Sequence, residues 1–119
     1  MKIRGVLLSF IYRVHAIERM FQRDISEYIV QKTITDGEII ENYLDDKPYP
    51  SFLALTFEDK NLDKPIHVVY AKNGNDIIII TAYRPSKSKW TNNYKIRLKK
   101  WNVWFVNMEK LKKVQQQLL

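Results

Sequence analysis

A chain of 119 residues, 45% hydrophobic and 13% aromatic, can bury one core, and its three glycines and four prolines are too few for a disordered or fibrous protein. It has no cysteine, which excludes a disulfide scaffold and a thiolate zinc site and fits a reducing, cytoplasmic compartment. The net charge of +7 is uneven: residues 1–83 carry ten Lys/Arg against twelve Asp/Glu, and residues 84–119 carry ten Lys/Arg against the single acid Glu109.

Lys2 and Arg4 precede Val6-Leu7-Leu8, which mimics the start of a signal peptide. The apolar stretch is short, and no small-residue cleavage site follows it. Residues 1–12 therefore read as a first core element, and no run approaches the ~20 apolar residues of a membrane span. Val14–Arg23 has helical periodicity, with Ala16, Ile17, Met20 and Phe21 on one side and Glu18, Gln22, His15, Arg19 and Arg23 on the other. A second helix is expected from Asp24, because Asp24 and Glu27 have capping-box spacing and Gly37 supplies a stop. Its expected buried residues are Tyr28, Ile29 and Ile34, with Val30 as a fourth.

From Glu38 the period shortens. Strands are expected over Glu38–Leu44, Ser51–Glu58, Ile66–Lys72 and Asp76–Arg84, with a turn at 45–50 and a hairpin at Asn73-Gly74. Ser86–Asn93 reads as a polar loop, and Tyr94–Leu98 as either a strand or a helical turn. Residues 101–106 are apolar enough to be buried. Residues 107–119 look helical, with a thin stripe of Met108, Leu111, Val114 or Gln115, and Leu118. The expected fold is α+β in one domain, residues 1–119: two N-terminal helices on a roughly four-stranded antiparallel sheet, followed by a basic helical extension over 98–119.

A field of one sign over a third of a domain attracts polyanions, or else forms a solvated basic face. Arg97, Lys95, Lys99 and Lys100 lie among Trp90, Tyr94, Trp101 and Trp104, a mixture that suits phosphate contacts and base stacking; these four cations, with Arg23 and Trp90, are the candidate RNA-binding residues. Trp101 and Trp104 read better as core. His15 and Arg19, four apart on one helix face, pair a near-neutral proton carrier with a phosphate clamp, or are ordinary surface residues. At the end of the Ile-rich strand, alternation puts Tyr83 with Ile77, Ile79 and Thr81, and Arg84 with Ile78, Ile80 and Ala82. His67 sits mid-strand opposite this region across the hairpin and reads as a half-buried strand histidine. No metal or cofactor is expected. Glu58-Asp59-Lys60, with Asp45 or Asp46, is a weak metal-nuclease pattern that recurs by chance.

The ordered set His15-Ala16-Ile17-Glu18-Arg19-Met20-Phe21-Gln22-Arg23, Gly37–Tyr43, Lys47–Ser51, Pro65–Val69 and Ile79–Pro85 resembles a family of uncharacterised prokaryotic domains with an H-A-x-E-R-M-x-x-R opening. The resemblance covers about residues 12–97. That family is similar to the RelE/ParE-like toxins, including the BrnT and MqsR branches. The resemblance implies two helices on a small antiparallel sheet, metal-independent mRNA cleavage, and a cognate antitoxin of zinc-finger or helix-turn-helix type. It does not reach the tail after Leu98. On this reading His15 is the acid or base, Arg19 and Arg84 clamp phosphate, and Tyr83 donates a proton or stacks on a base. Arg97 assists electrostatically and His67 is a reserve acid/base. The alternative is a non-catalytic nucleic-acid-binding or ParE-like inhibitory protein; a homodimer is compatible with either.

Overall fold

The computed structural model of the protein describes residues 2, 3, 5–59 and 63–98. The expected buried segment at 101–106, the expected helix at 107–119 and the candidate cations Lys99 and Lys100 lie outside the described residues. Chain contacts divide the protein into two units, Met1–Pro85 and Ser86–Leu119.

The first unit begins with a two-stranded antiparallel ribbon, β1 (Lys2–Ile3) and β2 (Val6–Leu7). It continues through β3 (Ser9–Tyr12), α1 (Val14–Gln22), α2 (Glu27–Asp36), β4 (Glu38–Tyr43), β5 (Ser51–Phe57), β6 (Pro65–Asn73) and β7 (Asp76–Tyr83). Strands β3 to β7 form one sheet in the order β3-β7-β6-β5-β4. The sheet is therefore five-stranded and mixed, where four antiparallel strands were expected. The added strand is β3, which lies parallel to β7 in the register Ser9↔Asp76 to Tyr12↔Ile79. A parallel neighbour needs a long crossover, and the helices together with β4 to β6 supply it. Nothing local in Ser9–Tyr12 announces a partner that arrives at the end of the unit.

Both helices cover one face of the sheet. Ala16 and Met20 of α1, Ile25, and Ile29 and Val30 of α2 pack with Ala54, Ile66, Val68, Tyr70, Ile77, Ile79 and Ala82. The expected four-residue stripe of α1 is narrower in the structure: Ile17 is exposed and Phe21 is 89% exposed. α1 packs on β7, next to the edge strand β3, so only its Ala16–Met20 seam meets the sheet. On α2, Tyr28 faces out, with the Lys32 ammonium 5.9 Å from its ring centre. The buried position goes to Thr33, whose hydroxyl donates to the Ile29 carbonyl at 2.6 Å, so its polarity is satisfied inside the helix.

Helix α2 starts later than the capping box suggested. Ser26 is the cap, and its hydroxyl accepts from the Ile29 amide at 3.2 Å. Asp24 instead occupies the α1–α2 turn at φ 53°. Gly37 does end α2, for a steric reason: it is extended, and a Cβ there would collide with the Thr33 carbonyl oxygen and stand 2.7 Å from that of Leu55. The β6–β7 hairpin turns at Gly74-Asn75, one residue beyond the expected centre, with Gly74 at φ 59° in the first turn position.

Strands β5 and β6 are buried on both faces; Leu53, Leu55, His67 and Ala71 lie on the face away from the helices. This explains why Ser51–Phe57 is apolar with little polar alternation. β7 contains a bulge: Tyr70 opposes Ile79 and Val69 opposes Thr81, leaving Ile80 without a partner.

In the second unit, β8 (Trp90–Thr91) and β9 (Ile96–Arg97) form a small antiparallel hairpin. This settles Tyr94–Leu98 as containing a strand. Asn92, Asn93 and Tyr94 all have positive φ in the connecting turn, and the Lys95 amide donates back to the Thr91 carbonyl at 3.1 Å.

Candidate functional site

The bulge at Ile80 decides which side chains meet. A regular strand would place Tyr83 with Ile77 and Ile79, as alternation from the sequence implied. One extra residue exchanges the faces of everything after it. Ala82 therefore joins Ile77 and Ile79 under the helices, and Tyr83 turns to the opposite face across from His67. Arg84 keeps the expected company of Ala82 but not of Ile78 or Ile80.

On the face away from the helices, His67 and Tyr83 are directly opposite in the β6–β7 ladder. The His67 Nδ1 and the Tyr83 hydroxyl are 3.1 Å apart, and the rings meet edge to face with centroids 5.3 Å apart. His67 is fully buried and Tyr83 half-buried. The phenol is thus the more accessible member, with an imidazole behind it. A hydroxyl hydrogen-bonded to an imidazole nitrogen can exchange protons with it, which makes this a proton-transfer pair.

On the helix side, the ends of α1, β5 and β7 meet around two guanidinium groups. Arg23 Nη1 donates to the Ala82 carbonyl at 2.8 Å. Arg84 Nη1 donates to Glu58 Oε1 at 2.7 Å, and its Nη2 donates to the Asp24 carbonyl at 3.0 Å. Glu58 continues the Phe52, Ala54, Thr56 row just past the end of β5, so its side chain emerges on the same face as Arg84. Arg84 is therefore occupied as a brace between the α1–α2 turn and the sheet.

The remaining candidates of the first unit stand apart from both groups. His15 is exposed, with Nδ1 3.7 Å from the Glu18 carboxylate. Arg19 is exposed and donates to the Gln22 side-chain oxygen at 3.2 Å. The two are on one helix face, as expected, but each leans on a neighbour three residues further along. His15 lies two turns, about 12 Å, along the axis from Arg23. Among the described residues, no hydrogen bond or ion pair joins His15 or Arg19 to His67, Tyr83 or Arg84.

In the second unit the guanidinium of Arg97 lies 4.7 Å from the Trp90 ring centre. Trp90 is buried, at 5% exposure. Arg97 is exposed and Lys95 half-buried. No group of three or more His, Asp or Glu side chains is placed to hold a metal ion among the described residues. Glu58, the acid of the metal-nuclease pattern, is the ion-pair partner of Arg84.

Sequence reasoning missed Glu58 and Asp24 as the partners of Arg84. The alternation of β5 carried the signal for Glu58, but its use required the unpaired Ile80. The Asp24 contact is made by a backbone carbonyl, which no side-chain pattern encodes.

Residues 12–84 match the family model described as a domain of unknown function, DUF4258. The chain belongs to this family. No curated protein and no solved structure matches it. The DUF4258 match starts at the end of β3 and stops at Arg84, so it contains both the His67–Tyr83 pair and the Arg84 brace. The β8–β9 hairpin lies beyond it.

Proposed function

We propose that this DUF4258 protein is a toxin-type, metal-independent endoribonuclease of RelE/ParE-like fold that cuts mRNA. The observation that carries the reading is the hydrogen-bonded His67–Tyr83 pair at the end of the sheet, an accessible phenol backed by a buried imidazole. The architecture supports it, with two consecutive helices on one face of a small sheet, as the sequence resemblance implies.

RNA carries its own nucleophile. The 2′-hydroxyl attacks the adjacent phosphorus, the bond from phosphorus to the 5′-oxygen breaks, and a 2′,3′-cyclic phosphate and a 5′-hydroxyl result. The protein must remove a proton from the 2′-oxygen and return one to the 5′-oxygen. Tyr83 accepts the first proton as it passes its own to His67 Nδ1, and the imidazolium returns a proton by the same route to the leaving oxygen. Positioned proton transfer of this kind contributes about 10²–10⁴-fold. The cation excess after residue 83 draws the phosphate backbone to the protein. His15 is released from the catalytic role, and Arg84 braces the domain that carries Tyr83.

No described helix is long and apolar enough to cross a membrane. The lack of cysteine suits action in the cytoplasm, where mRNA and a cognate zinc-finger or helix-turn-helix antitoxin would be met. A second reading, a non-catalytic nucleic-acid-binding or target-inhibiting protein, is favoured by one specific observation: Arg84 is held by Glu58 and Asp24, and His15 stands apart from it.

Incubation with mRNA in EDTA separates the two. Cleavage that leaves cyclic phosphate ends and falls about 10²-fold or more in Tyr83→Phe supports the ribonuclease. Cleavage only with Mg²⁺, or growth arrest with intact RNA, ends this reading.

A further inference from the structure

Three independent boundaries coincide near residue 85. The family match ends at Arg84. The division by chain contacts falls between Pro85 and Ser86. The net charge changes sign there, since residues 1–83 sum to −2 and residues 84–119 to +9. The family domain is thus close to neutral, and the positive excess of the protein belongs to an addition to it. We infer that the unit starting at Ser86 is an accessory element that grips the phosphate backbone of single-stranded RNA. Its described contact element is the β8–β9 hairpin. This assigns the RNA contact of the proposed ribonuclease and rests on that reading for its ligand.

The hairpin is built for a repeating polyanion. Residues 86–98 contain Lys87, Lys89, Lys95 and Arg97 and no acid. Lys87, Lys89 and Arg97 are exposed. Trp90 is buried and carries the Arg97 guanidinium 4.7 Å from its ring centre, which limits the rotamer freedom that a long side chain loses on binding. Hydrogen bonds from the Lys89 and Trp90 amides to the Ser86 carbonyl, both 3.1 Å, fold the entry to the hairpin back on itself. The cations therefore stand on a short, closed scaffold. A nucleic-acid backbone offers one charge per nucleotide, and each neutralised phosphate releases counterions. Single-stranded RNA is favoured over a duplex groove because a hairpin with two-residue strands is too short to follow one.

The test uses the full chain and a 2′-O-methyl RNA oligomer, which cannot be cut through its 2′-oxygen. Binding is thus read independently of cleavage, and a protein that fails to cleave still reports on the hairpin. Affinity is measured against salt concentration. Neutralising Lys87, Lys89, Lys95 and Arg97 to Gln is expected to weaken binding about tenfold or more and to flatten the log–log salt slope by about 3, near 0.7 per contact. The double variant Lys87→Gln/Lys89→Gln, at two exposed positions, is expected to flatten it by about half as much. The inference is overturned if the double variant keeps the parent slope, or if Lys47→Gln/Lys72→Gln in the first unit lowers it equally. Tighter binding to duplex DNA or to anionic phosphatidylserine vesicles than to the oligomer also overturns it.

Discussion

Arg23 and Arg84 hold one clasp from its two sides. The helix residue donates to a carbonyl of the strand, Ala82 at 2.8 Å, and the strand residue donates to a carbonyl of the helix turn, Asp24 at 3.0 Å. Each guanidinium donates to a backbone oxygen of the other element, so the pair ties the α1–α2 turn to the end of β7. Charge-assisted hydrogen bonds of this kind are worth about 1.5–3 kcal/mol when inside, and an exposed ion pair such as Arg84–Glu58 less than about 1 kcal/mol. Arg84→Ala is therefore expected to lower unfolding free energy by about 1–2 kcal/mol in urea titration. Glu58→Gln, which leaves the Asp24 contact in place, should cost under about 1 kcal/mol. An Arg84→Ala protein as stable as the parent would show that the clasp does not hold the turn.

Gly37 gives a sharper expectation. The atoms that a Cβ would meet there are the backbone oxygens of Thr33 and Leu55, one in α2 and one in β5. Neither can swing away as a flexible side chain would. Gly37→Ala should cost about 2–4 kcal/mol, near the top of the range for single substitutions. Gly74→Ala meets no atom but suffers from its φ of 59°, with a penalty of about 1 kcal/mol. Thermal unfolding of the two variants side by side checks the order. A Gly74 variant hurt more than the Gly37 variant would refute the close approach of α2 to β5.

These two glycines illustrate what could be read from the sequence. Both were legible as stops, and the spans of both helices and four strands followed from periodicity and turn residues to within a few positions. Three features were not legible. β3 pairs with a strand at the far end of its unit, and such pairing leaves no local trace. Ile80 is one apolar residue among four in a row, so nothing marks it as the unpaired one, although it decides that Tyr83 faces His67. The helical stripe at Ala16, Ile17, Met20 and Phe21 overstated burial because a helix near a sheet edge meets the sheet along a narrow seam. The candidate site followed the same rule. His67 was legible as lying across the hairpin from the strand end that carries Tyr83, and the bulged register makes the two direct partners.

The start of α2 offers a paired test. Ser26 accepts the Ile29 amide as the cap, whereas Asp24 holds a left-handed turn conformation, with its backbone carbonyl serving Arg84. Ser26→Ala should cost about 1 kcal/mol through the lost cap. Asp24→Gly keeps the carbonyl and relieves the positive φ, so it should be neutral or slightly stabilising. A stability loss confined to Asp24→Gly would restore Asp24 as the cap.

Alkaline pH supplies the last expectation. Burial raises the Tyr70 phenol above its ordinary value of 10.0. Tyr12 is raised too, by burial first and then by the nearby Glu27 charge, against a lowering hydrogen bond from Gln31. A raised value means that the folded state keeps protons that the unfolded chain has released. The stability contributed by the two neutral phenols is therefore full below pH 10 and is lost as pH climbs through the folded-state values. Tyr70 packs in the core and stacks with Phe52 at 5.4 Å between ring centres, so its ionisation puts charge where no water compensates it. Absorbance at 295 nm and far-ultraviolet circular dichroism followed together should show late phenol ionisation coinciding with unfolding. Tyr70→Phe should move that transition to higher pH; an unchanged midpoint would remove Tyr70 as its cause.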